Sequence, residues 1–128
     1  MAHNPCIVPY LSYVDANAAI TFLTEAFGLS VVQVNEGEDG KVVHAELAHG
    51  NGVVMMGTAD LPKGSPGIFL VVDDVDAHHA RAIAAGATEV YPPESTEWGA
   101  RRWRARDPEG HEWSFGTYQP STEPPSWS

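Results

Sequence analysis

A chain of 128 residues with 43% hydrophobic content is long enough to bury one core and short for two independent ones. Seventeen acidic against seven basic side chains give a formal charge of −10, which argues against nucleic acid as a partner because phosphate binding needs clustered Lys and Arg. The longest apolar runs, such as residues 68–72, fall far short of the roughly 18 residues of a membrane span, so no membrane partner is expected.

In chain order, the lone Cys6 cannot close an internal disulfide and reads as a small buried hydrophobe beside a strand start. No basic start followed by an apolar stretch and a cleavage site precedes it, which points to a cytoplasmic location. A β-rich segment over 7–14 then meets Asp15, whose carboxylate can cap a helix by accepting from its first free N–H groups. Ala19, Phe22, Leu23, Ala26 and Phe27 recur at three and four positions as one apolar stripe, and Gly28 suits a left-handed stop. Three strands follow, over 30–35, 42–48 and 53–57, separated by Gly- and Asp-rich turns.

The same order then repeats. Residues 61–67 read as a linker, 68–72 as a strand, Asp73 as a cap, Ala80, Ile83, Ala84 and Ala87 as a helix stripe, and Gly86 as its stop. Strands over 89–91, 101–106 and 112–117 complete the second copy. Asp15 and Asp73, Gly28 and Gly86, and Gly52 and Gly110 all stand 58 positions apart, which is how an internal repeat announces itself. The reading is one α+β domain over 1–118 made of two tandem βαβββ modules, about 5–60 and 66–118, followed by a Pro- and Ser-rich flexible tail over 119–128.

The segment Asp107-Pro108-Glu109-Gly110-His111-Glu112-Trp113 is similar to the D-P-x-G-h-x-W element before the last strand of many proteins of the glyoxalase/bleomycin resistance protein/dioxygenase (vicinal oxygen chelate) superfamily. With the stretch from Val14-Asp15 to Phe27-Gly28-Leu29, the resemblance covers about residues 4–118. It implies two curved sheets enclosing a concave cavity, a homodimer with cavities completed across the interface, and, in metal-using members, ligands early in the first strand and within the fourth strand of each module. Carried over residue by residue, those positions fall on Val8 or Pro9, Met56, Gly67 and Ser114, none of which is a usual ligand of a divalent metal. No metal site and no cofactor are therefore expected.

Strand alternation selects other residues for the cavity. With Val43, Ala45 and Leu47 on one side of the third strand, Val42, His44, Glu46 and Ala48 share the other, and the repeat sets Arg102 and Arg104 at the positions matching His44 and Glu46. The bland reading of such a face is a solvated array of paired charges. The functional reading is a ligand site built from His44, Glu46, Met56, Trp98, Arg102, Arg104 and Ser114, with Trp98 placed in the irregular stretch 94–99, where loops carry function. Trp113 and Phe115 alternate with polar neighbours and read as core, and the adjacent His78 and His79 point too far apart to share a metal.

Two functions follow as expectations. One is a metal-independent small-molecule-binding protein that sequesters an antibiotic or another aromatic or cationic metabolite. The other, in a different class, is a metal-dependent lyase, isomerase or dioxygenase like the metal-using relatives.

Overall fold

The computed structural model describes residues 8–60 and 67–118. Cys6, the linker residues 61–66 and the tail 119–128 lie outside the described residues. In chain order the elements are β1 (Tyr10–Tyr13), α1 (Ala16–Phe22) running into a π turn (Leu23–Phe27), β2 (Ser30–Glu36), β3 (Val42–His49) and β4 (Gly52–Thr58). The second set is β5 (Ile68–Val71), α2 (Val75–Ala84), β6 (Thr88–Ser95), β7 (Arg101–Arg106) and β8 (Glu112–Gly116). Each set is a βαβββ module, with sheet orders β1-β4-β3-β2 and β5-β8-β7-β6. In both, the first strand runs parallel to the fourth and the other pairs are antiparallel. The fold is thus α+β, two open curved sheets from tandem modules.

Helix caps and stops set the local lengths. Asp15 accepts from the Ala18 N–H at 3.0 Å, and Gly28 ends the π turn with φ 82°. In module two the cap is Asp74 rather than Asp73: its carboxylate accepts from the Ala77 N–H at 3.0 Å, while Gly86 stops the helix at φ 100°. Module one therefore carries one more residue between cap and stop, and the wider π turn absorbs it.

The repeat consequently runs in two registers. By strand pairing and burial, Leu11, Asp15 and Met56 correspond to Leu70, Asp74 and Phe115, 59 positions on, whereas Gly28, Ala45 and Leu47 correspond to Gly86, Trp103 and Ala105, 58 positions on. The turn carrying Gly110 is one residue longer in register than the turn carrying Gly52, which restores the larger spacing in β8.

Two strands differ from their expected course. Val42 is buried and Val43 is 65% exposed, the reverse of simple alternation, because β2–β3 pairing slips by one between Asn35↔His44 and Glu36↔Val42. β6 runs on through Pro92 and Pro93 to Ser95, which an edge strand tolerates because one side of its backbone needs no ladder partner.

The modules share one core. Tyr13, Leu23, Phe27, Leu47 and Met56 of the first and Trp103, Ala105, Trp113 and Phe115 of the second belong to a single buried cluster. Phe27 stands at the seam, its ring 5.5 Å from Trp113 and 4.8 Å from Phe115. The carbonyls left open by the π turn are met by α2: Arg81 Nε donates to Glu25 O at 3.0 Å and Arg81 Nη2 to Thr24 O at 3.2 Å. Across the same seam the turn 107–111 ties module two to β1. Tyr13 Oη donates to Asp107 at 2.6 Å, and the Val14 and Asp15 N–H groups donate to Glu109 at 2.7 and 2.8 Å. Burial, then the neighbouring Asp107 charge, push the Tyr13 hydroxyl far above its ordinary pKa, so it stays a donor.

His78 completes the seam as a half-buried imidazole. Trp103 Nε1 donates to its Nδ1 at 3.1 Å, which makes Nε2 the protonated nitrogen and the donor to Phe27 O at 3.1 Å. Burial lowers its pKa, and a second proton on Nδ1 would face the Trp103 N–H. The unfolded chain binds that proton near pH 6.5, the ordinary imidazole value, while the folded chain resists it to lower pH. Stability contributed by neutral His78 is thus complete above about pH 6.5 and declines as pH falls below it. Urea midpoints measured from pH 8 to pH 5 are expected to fall more steeply for the native chain than for His78→Gln; parallel slopes would refute the assignment.

Candidate functional site

Opposite the shared core each sheet turns one face outward. On the first, β3–β4 pairing of Glu46 with Met55 and β1–β4 pairing of Tyr10 with Met55 place these three on one side, with His44 and Gly57 two residues along. His44 Nε2 lies 2.8 Å from Glu46 Oε2. With Nε2 donating to that carboxylate, Nδ1 is the nitrogen left to accept a proton. The Tyr10 hydroxyl lies over Gly57, where an added Cβ would stand 2.5 Å from it, so only glycine leaves room for that ring.

The second face is built of guanidinium and aromatic groups. β7 carries Arg101, Arg102, Arg104 and Arg106, four of the chain's seven basic residues. The Arg102 guanidinium lies 5.6 Å from the Tyr91 ring centroid and 5.5 Å from that of Trp98, and Arg104 lies 5.6 Å from Tyr91. Arg102 Nε donates to Glu94 at 2.9 Å, and Arg104 Nε donates to Ser114 Oγ at 2.8 Å. Arg101 is held by Asp76 through Nε at 2.8 Å and Nη2 at 2.7 Å, and its Nη1 reaches Ser95 at 3.1 Å. These hydrogen bonds hold the Asp76 carboxyl below its ordinary range and raise Arg101 above its own. Arg106 pairs with Glu112 at 3.0 Å.

At the end of this face is a cavity of about 330 Å³ whose walls include Phe69, Trp98, Arg101, Arg102, Gly116 and Tyr118. Trp98 stands at the tip of the β6–β7 hairpin with 66% of its surface exposed, in a turn closed by Thr96 N–H donating to Ala100 O at 2.8 Å. Phe69 lies over Gly116 as Tyr10 lies over Gly57, its ring carbon 3.0 Å from where a Cβ would be. A larger groove of about 540 Å³ runs between the modules beside Leu29, Leu47, Ile68 and Leu70; His49, the one ionisable group in its wall, is spent on Val71 O at 2.6 Å. Apart from His49, the polar side chain in that wall is the uncharged Asn51.

Five of the residues expected from sequence thus fall on the outward faces as two groups. His44 and Glu46 meet on the first sheet, and Arg102, Arg104 and Ser114 meet on the second, where Trp98 joins Arg102 from the hairpin tip. The two groups belong to different sheets, and no hydrogen bond or ion pair among the described residues joins them. Met56 is corrected: it is wholly buried on the core side of β4, because its counterpart in module two is Phe115, and a one-residue slip turns a strand side chain to the other face. Met55 occupies the outward position. The irregular stretch around Trp98 is shorter than expected, since β6 continues to Ser95. Phe69, Gly116 and Tyr118 were not anticipated; the paired signal that points to two of them is the aromatic–glycine match Tyr10/Gly57 and Phe69/Gly116, both 59 positions apart.

Among the described residues the donor set falls short of the three or four ligands a divalent metal needs. The first face offers two ligands, His44 and Glu46, where three or four are needed, and no group of three or more His, Cys, Asp or Glu residues that could share an ion occurs among the described residues.

Comparison with known proteins gives a consistent picture. The chain is 39% identical over 127 residues to the uncharacterised protein Mb0911c of Mycobacterium bovis, covering 88% of this chain and 83% of that one. It superimposes on TioX from Micromonospora sp. ML1 with a TM-score of 0.78 and 31% identity, over 91% of this chain and all of that one. A glyoxalase I variant from Zea mays shares the fold at a TM-score of 0.74 and 21% identity, with 91% of this chain covering 46% of that one. The profile of one family matches residues 8–115, nearly the whole described chain. The chain belongs to the Glyoxalase/Bleomycin resistance protein/Dioxygenase superfamily.

Proposed function

We propose that this protein is a metal-independent small-molecule-binding protein of the glyoxalase/bleomycin-resistance type, which sequesters an antibiotic or another aromatic metabolite in the cytoplasm. The observation that carries the proposal is the stack of Arg102 between Tyr91 and Trp98 beside a cavity of about 330 Å³. That volume lies at the lower end of the range for small-molecule sites, about 300–1,000 Å³. Exposed aromatic surface beside cationic planes favours ring stacking. The working unit in this reading is a homodimer, because both outward faces lie open in one chain and the edge strand β2 leaves Val31, Val32 and Val34 exposed. The resemblance in fold to TioX, at 31% identity, is compatible with this reading.

A second reading, a metal-dependent lyase, isomerase or dioxygenase, draws on the His44–Glu46 contact at 2.8 Å, which pairs an imidazole with a carboxylate on an open face. Metal analysis separates the two. Purified without chelator or a nickel column, the protein is expected to hold well under one metal per chain. Zinc, nickel, manganese or iron(II) should leave its melting temperature unchanged, while aromatic compounds raise it by mass action. One tightly held metal per chain would overturn the binder reading in favour of the enzyme.

A further inference from the structure

We infer that the ligand of the second face is a planar aromatic acid, a single fused-ring system bearing a carboxylate or comparable flat anion; the inference rests on the small-molecule-binding reading and assigns its charge. The chain carries −10 overall, a field that attracts cations. The cavity wall is the exception: it includes Arg101 and Arg102 and no carboxylate. Donor accounting sharpens the contrast. Arg101 spends Nε and Nη2 on Asp76 and Nη1 on Ser95. Arg102 spends Nε on Glu94, and no acceptor among the described residues is found for its two terminal nitrogens. A guanidinium presents five N–H donors in a flat fork that matches a carboxylate two bonds at a time, so the outer edge of Arg102, its two terminal nitrogens, has room for a second acceptor of that shape.

The aromatic groups exclude the opposite charge. Trp and Tyr faces do bind cations, but here Tyr91 already has Arg102 and Arg104 against it, each at 5.6 Å, and Trp98 has Arg102 at 5.5 Å. An ammonium entering the cavity would meet like charge and displace a guanidinium; an acid would add its ring to the stack and its oxygens to the fork. Phe69 over the side-chain-free Gly116 supplies an apolar floor, and the volume of about 330 Å³ suits one ring system rather than an extended chain.

Three probes of one shape test this on the full chain: 2-naphthoate, 2-naphthalenemethanol and 2-naphthylmethylammonium, followed by calorimetry and tryptophan fluorescence. The naphthoate is expected to bind about tenfold or more tighter than the ammonium, the scale of one charge-assisted hydrogen bond. Arg102→Gln should erase that preference while leaving the melting temperature nearly unchanged, and Trp98→Ala should weaken all three probes alike. If Arg102→Gln fails to fold, Arg102→Lys, which keeps the charge and loses the flat fork, should lower naphthoate affinity severalfold. Equal or tighter binding of the ammonium overturns the inference and leaves the small-molecule reading standing. A preference for naphthoate that survives loss of Arg102 overturns its assignment to this cavity. Binding of none of the three overturns the inference, and absence of stabilisation by any aromatic compound overturns the underlying reading as well.

Discussion

Asp107→Ala is expected to cost about 3–5 kcal/mol of folding stability, because it strands two buried side-chain donors at about 1–3 kcal/mol each and frees two backbone N–H groups besides. Asp107 is 4% exposed. Its Oδ2 accepts from Tyr13 Oη at 2.6 Å and Trp113 Nε1 at 3.1 Å, while Oδ1 accepts from the N–H groups of Glu109 and His111 at 3.1 and 3.0 Å. The carboxylate is therefore the hub joining β1 of module one to the turn and last strand of module two. In a chain of this size the loss corresponds to a fall in melting temperature of roughly 15 °C. Asp107→Asn keeps the shape and one acceptor oxygen and should lose about half as much. Tyr13→Phe should cost little more once Asp107 is alanine, since the hydroxyl has then already lost its partner. Chemical denaturation of these three variants, with Tyr13→Phe alone as the fourth corner of the cycle, measures this, and an Asp107→Ala loss below about 1 kcal/mol would show that other acceptors replace the carboxylate.

Phe27→Ala is expected to cost about 3–5 kcal/mol as well, by a different route, since truncating a buried Phe removes apolar contact and leaves a cavity that the surroundings refill only in part. Phe27 is 1% exposed and packs edge-on against Phe22 at 5.2 Å and Phe115 at 4.8 Å, with Trp113 at 5.5 Å and His78 stacked at 6.3 Å. All but Phe22 belong to module two. Urea unfolding followed by far-ultraviolet dichroism and by tryptophan fluorescence tests the consequence. A single transition at a much lower midpoint is expected from both probes, because the seam also holds the Arg81, His78 and Asp107 contacts. A midpoint close to that of the native chain would place the stability of the seam elsewhere. Phe27→Leu, which conserves most of the volume, should lose less than about 1.5 kcal/mol.

Much of the fold was legible because its signals are local. Asp15 at the helix start, Gly28 and Gly86 at the helix stops, and the apolar alternation of Trp113 and Phe115 each act within a few residues, and each occurs in the structure as read. The D-P-x-G-h-x-W element is accounted for by the same seam. Its Asp is the hydrogen-bond hub, its Gly110 takes φ 87°, and its Trp113 is core and a donor to that Asp. On the candidate site, alternation put His44 and Glu46 on one face of a strand and the repeat matched Arg102 and Arg104 to them; in the structure each pair does share a face of its own sheet. Alternation exchanged Val42 with Val43, and the position carried over from the resemblance fell on the buried Met56, because a bulge and a one-residue change of register leave no mark on composition or period.

What the sequence determined by itself is the doubled βαβββ order, the cap of the first helix, both helix stops, and the residues whose chemistry is available: a His and a Glu two apart, and four arginines along one strand. Only the tertiary structure decided which of them act together. Module one takes an extra residue into a π turn and module two takes one into the turn at Gly110, so one repeat spacing cannot serve the whole chain, and in a strand each single-residue error inverts the face. Pairing of charges is likewise a matter of side-chain reach across strands. It spends Arg101 on Asp76 and leaves Arg102, stacked on Trp98, with donors to offer.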